Sequence, residues 1–298
     1  MEKHTKIPYH PSALTRIFSP GVYRDLSTKG YSPMLGRLLI QTGIVAQVGR
    51  NACLAEGFEY AFNILSRIGA RDEYVYKSAI AQKVAMGRHS LRTATLVSEW
   101  RVGPNKADLV LLNGTATAYE VKSERDTLSR LPGQIASYSK VFASVCIVAS
   151  PNHIPQILKI APPDVGVMTL SARYTLQSVR APENRPSRTS SADIVDVLRV
   201  SEATAVLQAL GVSVPSCPNT QRRRMLRTLA EGLAPADVHA AMTEILKGSR
   251  SKADMNDYIR SLPTSLWAVA LSCDVPESDC RRLKAVLQVP MAEVSNWK

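Results

Sequence analysis

Two carboxylates and a lysine in the middle of the chain have the residue types and spacing of a catalytic metal site. Glu120 and Lys122 lie in AYEVKS, a stretch otherwise typical of a strand, and Asp108 precedes them in ADLVLLNG. Residues two apart on a strand project from the same face, about 7 Å from each other. Carboxylate oxygens suit Mg²⁺, which lowers the pKa of a bound water and neutralises charge at a phosphodiester. A neighbouring lysine can orient or deprotonate the attacking water.

The triplet alone is weak evidence, because about one Glu-x-Lys is expected by chance in a chain of this length, most simply on the solvent face of an edge strand. The hairpin provides a test. A two-residue turn at Asn113 and Gly114 would place Asp108 opposite Tyr119, and the two carboxylates on opposite faces. A three-residue loop with a left-handed Gly114, or a β-bulge, brings Asp108 to the face of Glu120. We predict this shifted register.

The composition favours a globular protein with a polyanionic partner. The chain has 298 residues, 45% of them apolar, and 37 Lys and Arg against 25 Asp and Glu, a net charge of +12. Nucleic acid is a fitting partner for such a charge. The spacing of the cysteines and histidines matches neither a disulfide framework nor a zinc site. Residues 1–18 lack a signal-peptide pattern and no long apolar span follows, so we expect a cytoplasmic protein outside the membrane.

The periodicity predicts helices first and then a mixed α/β region. Apolar residues recur at helical intervals in residues 32–47, 51–70 and 71–87. From about Leu91 the period becomes strand-like in three short segments that suggest an antiparallel meander. The predicted elements that follow are a helix at 128–141, a strand at 144–150, a helix at 154–161 and a strand at 165–171. This order predicts an α/β fold with a mixed sheet flanked by helices.

The C-terminal part is predicted to be a separate domain. Residues 181–191, APENRPSRTSS, have the composition of a linker. We therefore predict an α/β domain with an N-terminal helical extension at 1–180 and a small all-helical domain at 192–298. The helical domain could mediate homodimer formation or bind a protein partner. Within it, QRRRMLR before Gly232 suggests either a helix-turn-helix or a basic solvated face.

The candidate residues resemble the PD-(D/E)XK nuclease superfamily, which has the restriction-endonuclease-like fold. Asp108 precedes the Glu-Val-Lys triplet on a hairpin with helices before and after it. Gln134 and Tyr138 are similar to the QxxxY element of the RecB-like branch. Residues 119–150 with the following PNH also resemble a bacterial family of this superfamily that is partly carried by phages and mobile elements. The resemblance covers residues 70–175 well and the C-terminal helices only loosely.

The resemblance implies a role for each candidate residue. Asp108 and Glu120 would ligate Mg²⁺, for which Mn²⁺ would substitute, with the carbonyl of Val121 as a further ligand. Lys122 would be the catalytic lysine. Supporting or substrate-binding roles would fall to Glu99, Gln134 and Tyr138. Apart from the resemblance, Ser123 and Arg130 are further candidates for substrate contacts.

Two positions leave the pattern incomplete. An upstream acid often completes the metal site in this superfamily, and Glu99 fits best, with Glu73 and Glu59 as rivals on helices. Ala107 stands where the superfamily often has proline, a departure that it tolerates. The stretch SERDTLSR, which contains Ser123 and Arg130, could position phosphate but is equally typical of a helix start.

The resemblance implies a Mg²⁺-dependent nuclease that hydrolyses phosphodiester bonds of nucleic acid, DNA more than RNA. Its setting would be phage defence, mobile-element biology or DNA repair. Two alternatives remain open. The chain could be a catalytically silent module of the same fold that binds nucleic acid or a protein partner. The C-terminal helices could also be the working part, with the α/β domain as their scaffold.

Overall fold

The computed structural model describes residues 11–67, 69 and 71–297. The prediction about a leader at residues 1–18 falls mostly on residues 1–10, which lie outside the described residues. The chain divides into two compact units. We call Met1–Gln82 with Asp257–Lys298 the helical unit, and Lys83–Asn256 the sheet unit.

The bounds of the elements are as follows. The helices are α1 (Pro11–Ile17), α2 (Pro20–Lys29), α3 (Pro33–Gln41), α4 (Ile44–Val48), α5 (Leu54–Leu65), α6 (Glu73–Ile80), α7 (Leu131–Ser139), α8 (Ile154–Ile160), α9 (Ser191–Asp196), α10 (Val200–Ala209), α11 (Asn219–Glu231), α12 (Pro235–Ser249), α13 (Asn256–Ser261), α14 (Trp267–Ser272), α15 (Glu277–Val286) and α16 (Met291–Val294). The strands are β1 (Thr95–Val102), β2 (Asn105–Leu112), β3 (Ala116–Lys122), β4 (Ser144–Ala149), β5 (Gly166–Leu170) and β6 (Leu176–Arg180).

The helical unit confirms the predicted N-terminal helices and corrects their bounds. Ser32 caps α3 by accepting a hydrogen bond from the Leu35 amide at 3.4 Å, as Ser-Pro at a helix start predicts. The single helix predicted at 32–47 is divided into α3 and α4, because Gly43 takes a left-handed conformation with φ 69° between them. The ring of Phe18 stacks on that of Tyr74 with centroids 4.8 Å apart in the core of this unit.

The sheet unit confirms the predicted mixed α/β architecture. Among the described residues it holds a six-stranded sheet whose strands lie side by side in chain order. β1, β2 and β3 pair antiparallel, β3, β4 and β5 pair parallel, and β6 pairs antiparallel with β5. Strand β6 was not predicted, because its residues are exposed or half-buried at an edge of the sheet.

One face of the sheet shares a core with α7 and with helices from the C-terminal half of the chain. The ring of Trp100 on β1 meets that of Phe142 edge to face at 5.4 Å. The same cluster of buried side chains includes Val110, Ala118, Ile147, Ile135, Leu198, Leu226 and Met242. Helices α9 to α12 therefore belong to the sheet unit.

The predicted domain boundaries differ from this division. Residues 192–256 belong to the sheet unit and residues 257–298 to the helical unit, so no unit corresponds to the predicted domain at 192–298. The predicted linker is fixed by backbone hydrogen bonds, from Glu183 to the Asp164 carbonyl at 2.9 Å and from Ser190 to the Lys140 carbonyl at 2.7 Å. Linker composition indicates exposed side chains but carries no information about backbone pairing.

The described residues include no helix with both the length and the apolar character needed to cross a bilayer.

Candidate active site

The turn between β2 and β3 has the register that the site requires. Leu112 pairs with Ala116 and Leu109 with Tyr119, so three residues form the loop and Asp108 is aligned with Glu120. Gly114 is left-handed with φ 65°. The predicted three-residue loop is confirmed, and the plain two-residue turn is excluded. Asp108 and Glu120 consequently project from the same face of the sheet.

This face is the one covered by α7. Ala116 and Ala118, which lie on the same face of β3 as Glu120 and Lys122, pack into the core shared with α7. Small side chains at these positions leave room near the helix. The two charged residues at the end of the strand therefore meet the polar side of α7.

Four buried polar side chains form a closed network at this point. Glu120 Oε1 accepts hydrogen bonds from Lys122 Nζ at 2.7 Å and from Gln134 Nε2 at 2.5 Å. Lys122 Nζ also donates to Gln134 Oε1 at 3.0 Å, and the Tyr138 hydroxyl donates to Glu120 Oε2 at 2.8 Å. Their exposed fractions are 3% for Glu120, 4% for Lys122, 7% for Gln134 and 0% for Tyr138. We call these four residues the buried polar network.

The environment of Tyr138 keeps its hydroxyl protonated. Burial raises the pKa of Tyr138 far above its ordinary value, and the nearby carboxylates of Glu120 and Asp108 raise it further. Tyr138 is therefore a permanent donor to Glu120. Gln134 acts as donor to Glu120 and acceptor from Lys122, which fixes the orientation of its amide.

Asp108 lies at the edge of this network. Its Oδ2 accepts a hydrogen bond from the amide of Val121 at 2.8 Å, and its side chain is half-buried. This contact places the carboxylate of Asp108 beside the backbone between Glu120 and Lys122. Val121, predicted as a ligand through its carbonyl, thus contributes its amide to the site.

Glu99 on β1 reaches the same place through an unusual backbone. An oxygen of Glu99 lies within 4.8 Å of one of Asp108. Glu99 has φ 59°, and the β1–β2 ladder omits it between the pairs Ser98 with Leu109 and Trp100 with Ala107. A left-handed conformation is costly for a residue other than glycine.

Glu99 has a basic partner, and its two rivals for the role of upstream acid have partners of their own. Glu99 forms an ion pair with Lys106, a residue the sequence analysis did not single out. The rival acids lie in the helical unit, where Glu73 pairs with Lys77 and Glu59 accepts hydrogen bonds from Ser265. Within the sheet unit, Glu99 is the upstream acid that lies beside Asp108.

The donor set fits a hard divalent cation. Asp108 and Glu99 bring carboxylate oxygens close together, an arrangement that a cation stabilises. Glu120 accepts three hydrogen bonds, which leaves one of the roughly four acceptor positions of a carboxylate. Among the described residues, however, Glu120 belongs to no group of three potential ligands whose atoms all lie within 4.8 Å.

The loop after β3 carries the predicted substrate-binding residues. The amide and hydroxyl of Ser123 both donate to Asp126 Oδ2, at 2.7 and 2.5 Å. Arg130 is exposed immediately before α7. His153, which the spacing of the histidines did not single out, has Nε2 at 2.9 Å from the carbonyl oxygen of Ser123. Its position just after β4, at the same edge of the sheet as the end of β3, is the sequence signal that could have found it.

The arginines of α11 are largely engaged within their own unit. Arg223 donates to the carbonyls of Asp196 and Leu198 at 2.8 and 3.2 Å, and Arg227 pairs with the carboxylate of Asp196. Arg224 is exposed. These contacts give the basic segment a structural role in packing α11 against α9.

The fold and the buried polar network define a mixed α/β protein with a candidate active site where α7 covers the sheet. The chain belongs to the bacteriophage P4 protein cII family, whose sequence profile matches residues 66–266. Protein cII of Enterobacteria phage P4 is 28% identical over 176 residues, which are 58% of this chain. The match spans 65% of the length of the phage protein. No solved structure matches the chain.

The family match includes the whole sheet unit. It agrees with the predicted phage connection of the chain. The names of the family and of its relative state no activity, so the resemblance to PD-(D/E)XK nucleases stays a prediction.

Proposed function

We propose that the sheet unit is a metal-dependent phosphodiesterase that acts on DNA. The observation that carries the proposal is the buried pair of Glu120 and Lys122, held by Gln134 and Tyr138 on the same face as Asp108. The positive net charge of the chain, +12, supports nucleic acid as the substrate.

Asp108, Glu120 and Glu99 are the residues that would hold Mg²⁺ or Mn²⁺, with the carbonyl of Val121 as the further ligand suggested by the resemblance. When bound, such an ion supplies a more acidic water and neutralises charge at the phosphodiester. Lys122 uses two of its three N–H groups within the network, and the third is the group we assign to orienting the attacking water. Ser123 and the exposed Arg130 are the candidate contacts to phosphate.

The buried polar network holds the reacting groups in place. Gln134 and Tyr138 fix both oxygens of Glu120, so the carboxylate cannot rotate freely. Because the network is buried, each charge interaction within it is stronger than it would be in water. A lysine fixed by two acceptors keeps a defined direction for its remaining proton.

A cleavage panel tests the proposal. Single- and double-stranded DNA, linear and circular, and RNA are incubated with Mg²⁺, Mn²⁺ or EDTA. We expect cleavage of DNA only with a metal, and a loss of about 100-fold or more for Lys122→Met. Lys140→Met, the same change at an exposed site at the end of α7, is the matched control. Equal rates for these two variants would rule out the assigned role of Lys122.

The three hydrogen bonds that Glu120 already accepts favour one alternative, a catalytically silent module. Both of its oxygens already accept hydrogen bonds, and within the part of the chain that the structure describes no trio of potential ligands within 4.8 Å of one another includes it. Calorimetric titration with Mn²⁺ separates the two functions. The nuclease has a metal site that disappears in Asp108→Asn, whereas the silent module binds nucleic acid without such a site.

The phage family favours mobile-element biology or phage defence over DNA repair as the setting of this activity. We also propose that the substrate is DNA in preference to RNA, and that helices α9 to α12 bind a partner.

A further inference from the structure

We propose that His153 is a positioning residue that locks the chain immediately after Lys122. This inference rests on the proposed function for its catalytic consequence, although the lock itself can be measured without activity.

The lock is formed where two parallel strands end side by side. Lys122 on β3 is level with Ala149 on β4, so the segments after both strands lie at the same edge of the sheet. After β4 the chain enters a short helical turn, Pro151–His153. This turn is therefore adjacent to the loop that follows Lys122.

Two hydrogen bonds join the segments. The amide of Ser150 donates to the carbonyl of Lys122 at 2.9 Å, and His153 Nε2 lies 2.9 Å from the carbonyl oxygen of Ser123. A carbonyl oxygen can only accept, so Nε2 carries the hydrogen.

Ser123 is fixed from the other side as well. Its amide and hydroxyl both donate to Asp126, while its carbonyl accepts from His153. All of its polar groups are thus engaged, although residues 125–127 of the same loop are exposed. Of these contacts, the one from His153 ties the loop to the helical turn that follows β4.

The lock matters because Lys122 is held at both ends. Its ammonium group is fixed by Glu120 and Gln134, and its carbonyl by Ser150. His153 holds the next carbonyl along the chain, that of Ser123. Release of the backbone would let the loop move and would change the direction in which the lysine presents its third N–H. Catalysis depends steeply on such placement.

Three variants test the lock. His153→Phe removes the donor and keeps a ring, and His153→Gln keeps an N–H donor of similar reach. His89→Phe is the matched control. His89 is also half-buried and hydrogen-bonded, to Asn113 at the opposite end of the β2–β3 hairpin. Hydrogen exchange of the peptide spanning residues 120–130 is followed by mass spectrometry, together with kcat, KM and Mn²⁺ affinity.

In His153→Phe we expect the amides of this peptide to exchange about tenfold faster, the effect of one lost hydrogen bond. We expect kcat to fall about tenfold or more, with KM for DNA and Mn²⁺ affinity within about twofold of wild type. The Gln variant should restore both exchange and kcat, and His89→Phe should leave them unchanged.

Unchanged exchange in His153→Phe, or failure of the Gln variant to restore it, overturns the lock. An effect on KM alone overturns the positioning role. Wild-type protein that cleaves no nucleic acid overturns the proposed function and the catalytic consequence with it, while the exchange data still decide whether the lock exists.

Discussion

The buried pair of Glu120 and Lys122 makes the stability of the sheet unit sensitive to either residue alone. In Lys122→Met the carboxylate of Glu120, 3% exposed, would lose its counter-charge, and Gln134 would lose a donor. Removal of one partner from a buried ion pair costs about 3 kcal/mol or more. Glu120→Gln leaves the ammonium without its carboxylate and should cost a similar amount.

The double variant Glu120→Gln/Lys122→Met removes both charges at once. The neutral amide can still accept from Tyr138, and the methionine fills the volume of the lysine stem. We therefore expect the double variant to lose no more than about 1 kcal/mol in total, where additive effects would give about 6 kcal/mol. The coupling between the two residues is then about 5 kcal/mol.

Urea unfolding followed by fluorescence measures these energies in the sheet unit alone. Trp100 is in that unit, while Trp267 and Trp297 are in the helical unit, so Trp267→Phe/Trp297→Phe is the background that reports on Trp100. At a slope of about 2 kcal/mol/M, each single variant should shift the urea midpoint by about 1.5 M.

The exposed pair Glu183 and Arg185, with nitrogen and oxygen 4.0 Å apart, is the control cycle, and its coupling should stay below about 1 kcal/mol. A coupling for Glu120 and Lys122 no larger than in this control would refute the reasoning, because it would mean that the two charges are solvated in solution.

Three further predictions concern other parts of the sheet unit. Burial lowers the pKa of His239 from 6.5 to about 4, so the unfolded state binds a proton before the folded state does as the pH falls. The free energy of unfolding should therefore drop by up to about 3 kcal/mol between pH 6.5 and 4. Urea midpoints measured across this range should show a smaller drop for His239→Gln. Gly166→Ala would place a Cβ 2.7 Å from the ring of Pro182, so we expect a loss of stability of about 1 kcal/mol or more. A melting temperature unchanged within about 1 °C would contradict this expectation. Lys106→Met removes the cation paired with Glu99, so Mn²⁺ should bind several-fold tighter by calorimetry with stability changed by less than about 1 kcal/mol; weaker metal binding would count against Glu99 as a ligand.

The register of the hairpin could be predicted because side-chain parity leaves few choices. Strand residues alternate between faces, so a shared site at Asp108 and Glu120 requires a loop with an odd number of residues. A glycine at position 114 permits the left-handed conformation that such a loop contains. The shared helix face of Gln134 and Tyr138 could also be predicted from the sequence, because residues four apart lie on one face of a helix.

Features set by distant parts of the chain could not be predicted. The packing of α9 to α12 on the sheet and the joining of both chain ends in the helical unit depend on contacts that local periodicity does not contain. Strand β6 has exposed or half-buried residues throughout, so its hydrophobic pattern is absent. The left-handed Glu99 is set by its neighbours and lies within an otherwise ordinary strand.

Two energetically unfavourable features meet at one point of the sheet unit, and their coincidence supports a functional origin. A buried ion pair is seldom more stable than an apolar pair of the same volume. Stability therefore does not explain Glu120 and Lys122 on a strand whose other residues on that face, Ala116 and Ala118, are alanines. The left-handed backbone of Glu99 costs about 1–3 kcal/mol and directs its carboxylate toward Asp108. Because strained conformations and buried charges concentrate where catalysis or binding requires them, both costs are accounted for if the three acids and the lysine act together on a substrate.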